Sequence, residues 1–206
     1  MRTEITSPSQ LQDLLGVPLQ RTLDKDSDAF LPEHRAWIAA SPLCLVATSD
    51  ADGTCDVSPK GDPAGFALVL DDTTLAIPER PGNRRADGFA NILQNPHVGL
   101  IFLIPGRGDT LRVNGRATLL ADAPYADRMV VKGHRPAVIL EVAVEQIFFH
   151  CSKAFLRSAL WDPETWHPEA VPSRARIAKS LERPDDPLEE IEAYYGEQYA
   201  ERLYTT

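Results

Sequence analysis

The sequence predicts a mostly β protein: an antiparallel barrel with helices at its periphery. Two observations carry this. About seven strand-like runs rich in β-formers recur between residues 42 and 150. Most are joined by short turn signals of the hairpin kind, with helical periodicity inserted or appended rather than alternating strand by strand. That pattern favours an antiparallel barrel over a parallel βαβ sheet.

The elements follow in order. "SPSQLQDLLG" predicts a helix, with Ser7 as N-cap, Pro8 at the first helical position, Gln10 completing a capping box and Leu11, Leu14 and Leu15 as the apolar face. "LPEHRAWIAAS" predicts a second helix. "PLCLVATS" is a buried strand, "DADG" a turn, and "TCDVSPK" its hairpin partner. "GFALVLDDTTLAIP" is another hairpin, turning at Asp71-Asp72. In "RRADGFANILQNP" Phe89, Ile92 and Leu93 share a helical face, and Asn95-Pro96 ends it. "HVGLIFLIP", "TLRVNGRATLL" and "AVILEVAVEQIFFH" are strands, with a short helix around "PYADRMVV". Gly115 inside its strand predicts a bulge or a close backbone approach. After residue 150, "SKAFLRSAL" is helical, "WDPETWHPEAVPSRAR" irregular, and "DDPLEEIEAYYGEQYAERLY" an acidic terminal helix. The whole reads as one barrel domain over 1–206, with N-terminal helices to about residue 41 and a helical extension over 151–206.

Composition narrows the function. A net charge of −9 argues against general affinity for nucleic acid or anionic membrane. Three dispersed cysteines without a CxxC pair suggest neither a zinc site nor a disulfide framework. "MRTEITSPSQ" lacks a signal-peptide core, and no apolar run is long enough to span a bilayer, so a cytoplasmic protein with reduced thiols is expected. The lone "GRGDT" is no dinucleotide fingerprint, and no phosphate loop of the GKS/T type or nucleophile elbow occurs. The scattered histidines, and His150 beside Cys151, lack metal-ligand spacing.

Against this acidic background "IPERPGNRR" (77–85) stands out. Arg80, Arg84 and Arg85 supply forked donors, and the helix beginning just after them supplies unpaired N–H groups and the positive end of its dipole. The loop fits a phosphate, with Pro81-Gly82 turning Arg80 back toward Arg84 and Arg85. A solvated arginine turn neutralised by Glu79 and Asp87 is the plainer alternative. A second feature, "DVSPKGDPAGF" (56–66), ends a strand with Lys60 near Asp62. Lys60 could face an electron-rich ring or a phosphate, or form an ordinary Lys–Asp pair.

The succession "SPKGD", "IPERPGNRR" and "LRVNGRA" resembles the pyridoxamine 5′-phosphate oxidase-like superfamily of FMN-binding split barrels, in particular a subgroup of probable FMN-dependent enzymes. The resemblance covers roughly residues 30–165. It implies a Greek-key-like split β-barrel forming a homodimer, with FMN at the subunit interface. Lys60 matches the family lysine beside the flavin, and Val57 and Ser58 match backbone contacts to the ring. Asn83, Arg84 and Arg85 match the phosphate clamp, with Ile77, Pro78 and Arg80 in the same motif. Cys55 stands where the oxidase has an arginine. Arg112, with Asn114, lies on a strand that runs near the flavin or the dimer interface, or is simply a half-buried strand residue. Lys153, Arg157 and Trp161 could reach over the partner's flavin, or serve only helix packing. The oxidase's substrate-closing Trp and Arg are missing from the terminal region, which speaks against pyridoxamine phosphate as substrate. The resemblance thus implies FMN-dependent oxidoreduction of a small molecule, with no metal. The alternatives are flavin storage without turnover, a related cofactor such as a deazaflavin or haem, or a cofactor-free interaction module.

Overall fold

The computed structural model describes residues 2–204; Met1, Thr205 and Thr206 of the predicted 1–206 unit lie outside the described residues. Seven strands occur among them: β1 (Leu43–Ser49), β2 (Cys55–Gly61), β3 (Leu68–Val69), β4 (Thr74–Pro78), β5 (His97–Leu103), β6 (Thr110–Leu120) and β7 (Ile139–His150). They form one antiparallel sheet in the order β2-β1-β5-β6-β7-β4-β3. The neighbours β1/β5 and β7/β4 are not consecutive in the chain, which gives the Greek-key-like character.

Alternation sorts the side chains into two faces. Register sets Ser58, Val46, Leu100, Val113 and Ile147 in one row across β2, β1, β5, β6 and β7. That row faces the interior, where Val46, Leu100, Val113 and Ile147 are buried. The next row, Pro59, Leu45, Ile101, Arg112 and Phe148, faces outward. The main core cluster joins Cys44 and Val46 of β1 to Leu75 and Ile77 of β4, so the sheet curls on itself.

The curl stays open at one seam. β2 pairs only with β1, and β4 pairs with β3 and β7. Pro59, which has no N–H, suits the exposed edge of β2. Two ion pairs span the gap from β2 to the residues after β4: Lys60 Nζ to Glu79 Oε2 and Arg80 Nε to Asp62 Oδ2, each at 2.5 Å. This is a split barrel. The closed side holds the expected bulge, a register shift between Asn114 and Gly115. A Cβ at Gly115 would lie 2.2 Å from the Ala143 carbonyl oxygen, so only glycine fits.

The helices are α1 (Pro8–Leu15), α2 (Gln20–Leu23), α3 (Pro32–Ala40), α4 (Asp87–Gln94), α5 (Lys153–Ser158), α6 (Arg174–Leu181) and α7 (Leu188–Tyr194). Several expectations need correction. Ser7 caps α1 by accepting from the Gln10 N–H, but Gln10 Oε1 accepts from Thr6 N–H rather than closing a box on Ser7. The leucine face of α1 is not buried by the described residues: Leu11, Leu14 and Leu15 are all exposed. In α4, Ile92 is buried but Leu93 points outward. The region expected to be irregular contains two 3-10 turns and then α6, capped by Ser173. The acidic terminal helix stops at Tyr194, and a 3-10 segment covers Glu197–Arg202. No helix among the described residues is long and apolar enough to cross a membrane. All three thiols are free, Cys44 in the core and Cys55 and Cys151 exposed.

Candidate functional site

A cavity of about 340 Å³ lies in the open seam, within the size range of small-molecule sites. Its floor is the inward face of the first hairpin: Val46 and Thr48 of β1, and Asp56, Ser58 and Lys60 of β2. One wall is the loop from Glu79 to Ala86 with Gly88, Phe89 and Ile92 of α4. The other is formed by His134, Arg135, Ala137, Val138 and Tyr204. Five cationic side chains (Lys60, Arg80, Arg84, Arg85, Arg135) and two carboxylates (Asp56, Glu79) line it. In a chain of net charge −9, that is a local reversal of sign.

α4 brings its N-terminus onto this floor. Asn91 Nδ2 donates to Thr48 Oγ1 at 3.1 Å inside the core and fixes the helix against β1. A Cβ at Gly88 would stand 3.0 Å from Asp56 Oδ2, so glycine permits the approach. The N-cap, Ala86, offers no side-chain acceptor, and the first-turn N–H groups lack that partner.

The arginines differ sharply. Arg80 is fixed inside the protein: besides Asp62 it donates to the carbonyls of Met129 at 2.7 Å and His134 at 3.3 Å. It lines the same cavity as Arg84 and Arg85, but Asp62 and these carbonyls engage its guanidinium. Arg84 is exposed and makes no hydrogen bond or ion pair with described residues. Its φ of 60° is in the left-handed region, which costs on the order of 1 kcal/mol for a residue with a side chain. Asn83 Oδ1 accepts from the Arg85 N–H at 2.9 Å and shapes this turn. Arg85 reaches Asp87 at 2.5 Å, and this contact raises its pKa.

Lys60 is paired rather than solitary. Glu79 holds its ammonium, which lies 4.8 Å from the centre of the Phe89 ring. The Lys60–Asp62 pair weighed from sequence does not form, since each takes a partner from across the seam.

Of the predicted residues, Ser58, Lys60, Arg80, Arg84 and Arg85 converge on this cavity. The others do not line it. Val57 faces outward, 60% exposed, and Ile77 and Pro78 are buried in the sheet. Asn83 acts through the turn. Arg112 lies on the outer face with its guanidinium 5.0 Å from the Phe148 ring, and its Nε is buried without a partner. Lys153 is exposed at the start of α5. Trp161 donates to the Arg107 carbonyl at 2.7 Å and stacks on Phe155. Sequence reading missed Asp56, Glu79, His134, Arg135 and Tyr204. A second basic cluster, "KGHR" (132–135), was the available signal for His134 and Arg135; Tyr204 had none. Among the described residues no group of three or more His, Cys, Asp or Glu could hold a metal ion.

The family model for pyridoxamine 5′-phosphate oxidase matches residues 30–151. No curated protein sequence matches the chain. Among solved structures, HupZ of Group A Streptococcus is 23% identical over 58% of this chain and 93% of its own, with a TM-score of 0.47. A Lactobacillus delbrueckii protein described as a candidate pyridoxamine 5′-phosphate oxidase is 26% identical over 59% and 95%, with a TM-score of 0.46. An F420 reductase is 21% identical over 58% and 98%, with a TM-score of 0.39.

Proposed function

The chain belongs to the pyridoxamine 5′-phosphate oxidase family, and we propose that it binds FMN in the open seam and serves as an FMN-dependent oxidoreductase for a small molecule. The observation that carries this reading is the unpartnered Arg84, next to an α4 N-terminus without a side-chain cap, at the mouth of a cavity of about 340 Å³. Free guanidinium donors and unpaired helix N–H groups are what a phosphate monoester requires.

Arg84 and Arg85 hold the phosphate in this reading, and Asn83 sets the turn that presents them. Arg80 braces the loop from behind. Ser58 lines the floor beside the ring, and Val57, whose side chain faces outward, would meet the ring only through its backbone. Lys60 keeps its ammonium at the cavity wall through Glu79, with a weaker field than a lone cation would have. When bound, FMN supplies the electron transfer, while the protein binds, orients and tunes it. Ile77 and Pro78 support the loop from the core.

A homodimer follows from the same reading. The outer row of Leu45, Ile101 and Arg112, with an unpaired buried Nε, is a face that a second copy would cover. Arg112, Lys153 and Trp161 would then serve the interface or the partner's cofactor.

The test is the visible spectrum of the purified protein before and after FMN addition and desalting. Retained flavin bands support the reading, and NADH- or NADPH-driven turnover then separates an oxidoreductase from a storage protein. A folded protein that stays colourless removes the flavin assignment.

A further inference from the structure

The segment after β7 builds a small core of its own. Ala175 and Ala178 of α6 pack on Ile191 of α7, with Leu188 and Tyr195 against them, separate from the barrel core. From there the chain returns to the open seam, where Tyr204 becomes part of the cavity wall. Its phenol donates a hydrogen bond to Asp62 Oδ1. Its ring stacks on His134, centroids 5.9 Å apart and planes 20° from parallel, and lies within 6 Å of the Arg80 and Lys132 cations.

Asp62 explains why this contact matters. Its side chain is 1% exposed, and its two oxygens are divided between Arg80 Nε and the Tyr204 hydroxyl. A buried carboxylate needs both donors. The Arg80 contact is built into the seam. The Tyr204 contact comes from a segment whose own packing lies elsewhere. One phenol therefore both completes the satisfaction of a buried charge and closes one wall of the cavity.

We propose that Tyr204 ends a strap that closes one wall of the seam cavity, latched by the Tyr204–Asp62 hydrogen bond, and that release of this latch opens the cavity on that side. The inference rests on the cavity being a ligand site, and not on the ligand being FMN. Unlatching moves the phenol from Asp62 to water and admits water to the carboxylate, while the Asp62–Arg80 pair keeps the seam intact.

The experiment reads the wall without a flavin. In the full chain carrying Cys55→Ser, Cys151→Ser and Ser58→Cys, the thiol at position 58 lies on the cavity floor, and buried Cys44 serves as internal control. Its reaction with a small maleimide is timed with Tyr204 intact and with Tyr204→Phe, which keeps the ring and removes only the hydroxyl. The strap predicts labelling at position 58 about tenfold faster in Tyr204→Phe, the effect of losing one hydrogen bond to a charged group, with Cys44 equally slow in both. Equal rates at position 58 overturn the proposal, as does acceleration of both thiols together, which would mean general loosening. FMN is titrated in parallel into the chain with native Ser58. Faster labelling in a protein that takes up no FMN keeps the strap and removes the flavin reading; FMN uptake with unchanged labelling does the reverse.

Discussion

Between β6 and β7 the barrel wall is a backbone ladder running from Thr110 opposite His150 to Leu120 opposite Ile139, whereas between β2 and β4 it is two ion pairs, Lys60–Glu79 and Asp62–Arg80. A ladder satisfies its own polar groups and leaves no space between strands. Side-chain pairs hold two edges together at arm's length, so a cavity remains and its walls are charged. The charged side chains that line the cavity accordingly gather where the ladder is missing. The closed seam serves packing, with Leu111, Val113, Val142 and Ile147 fully buried along it.

The largest expected effect breaks the open seam. Asp62→Ala removes the buried acceptor of Arg80 and Tyr204 and should lower unfolding free energy by about 3 kcal/mol, the scale for breaking a buried pair. Urea denaturation measures it, and a loss under about 1 kcal/mol, the scale of an exposed pair, would show that the seam is held by other contacts. The closed seam has its own weak point. Gly115→Ala places a methyl against the Ala143 carbonyl, and overpacking of this kind should cost about 2 kcal/mol. A thermal midpoint equal to that of the parent would mean that the bulge yields freely.

The smallest stability effect is a pH dependence behind the closed seam. His34 is buried against Phe149, ring centroids 5.4 Å apart, and accepts the Leu31 N–H through Nδ1. Burial lowers its pKa from 6.5. The unfolded chain therefore takes up the proton first as pH falls. Stability from the neutral ring is fully present above 6.5 and declines below it, until the folded form also protonates. Comparing stability at pH 7.5 and 5.5 in the parent and in His34→Gln isolates this: the variant should lose less. An identical pH slope in both would assign the dependence elsewhere.

Much of this was legible in the sequence because it is local. Strand alternation, the Asp71-Asp72 hairpin, the bulge at Gly115 and the loop preceding α4 all depend on neighbours in the chain. The fate of each arginine was not legible. Arg80 and Arg84 are four residues apart in one motif, yet Arg80 is claimed by Asp62 and by carbonyls of residues 129 and 134, which only the fold brings near. Tyr204 meets Asp62 across 142 positions. α6 was hidden because its buried side chains are alanines, Ala175 and Ala178, which give little apolar periodicity. The leucines of α1 had the periodicity, yet all three stay exposed among the described residues.

The central claim is that the open seam binds a phosphate-bearing flavin through the arginine that the fold leaves free. The most direct test is FMN titration, followed by flavin fluorescence, of the parent and Arg84→Ala, with thermal unfolding run alongside. The account predicts weaker FMN binding by roughly 1.5–3 kcal/mol in the variant, the range for hydrogen bonds to a charged group, with the unfolding midpoint unchanged because Arg84 makes no hydrogen bond or ion pair with the described residues. FMN affinity equal in the two proteins would contradict it.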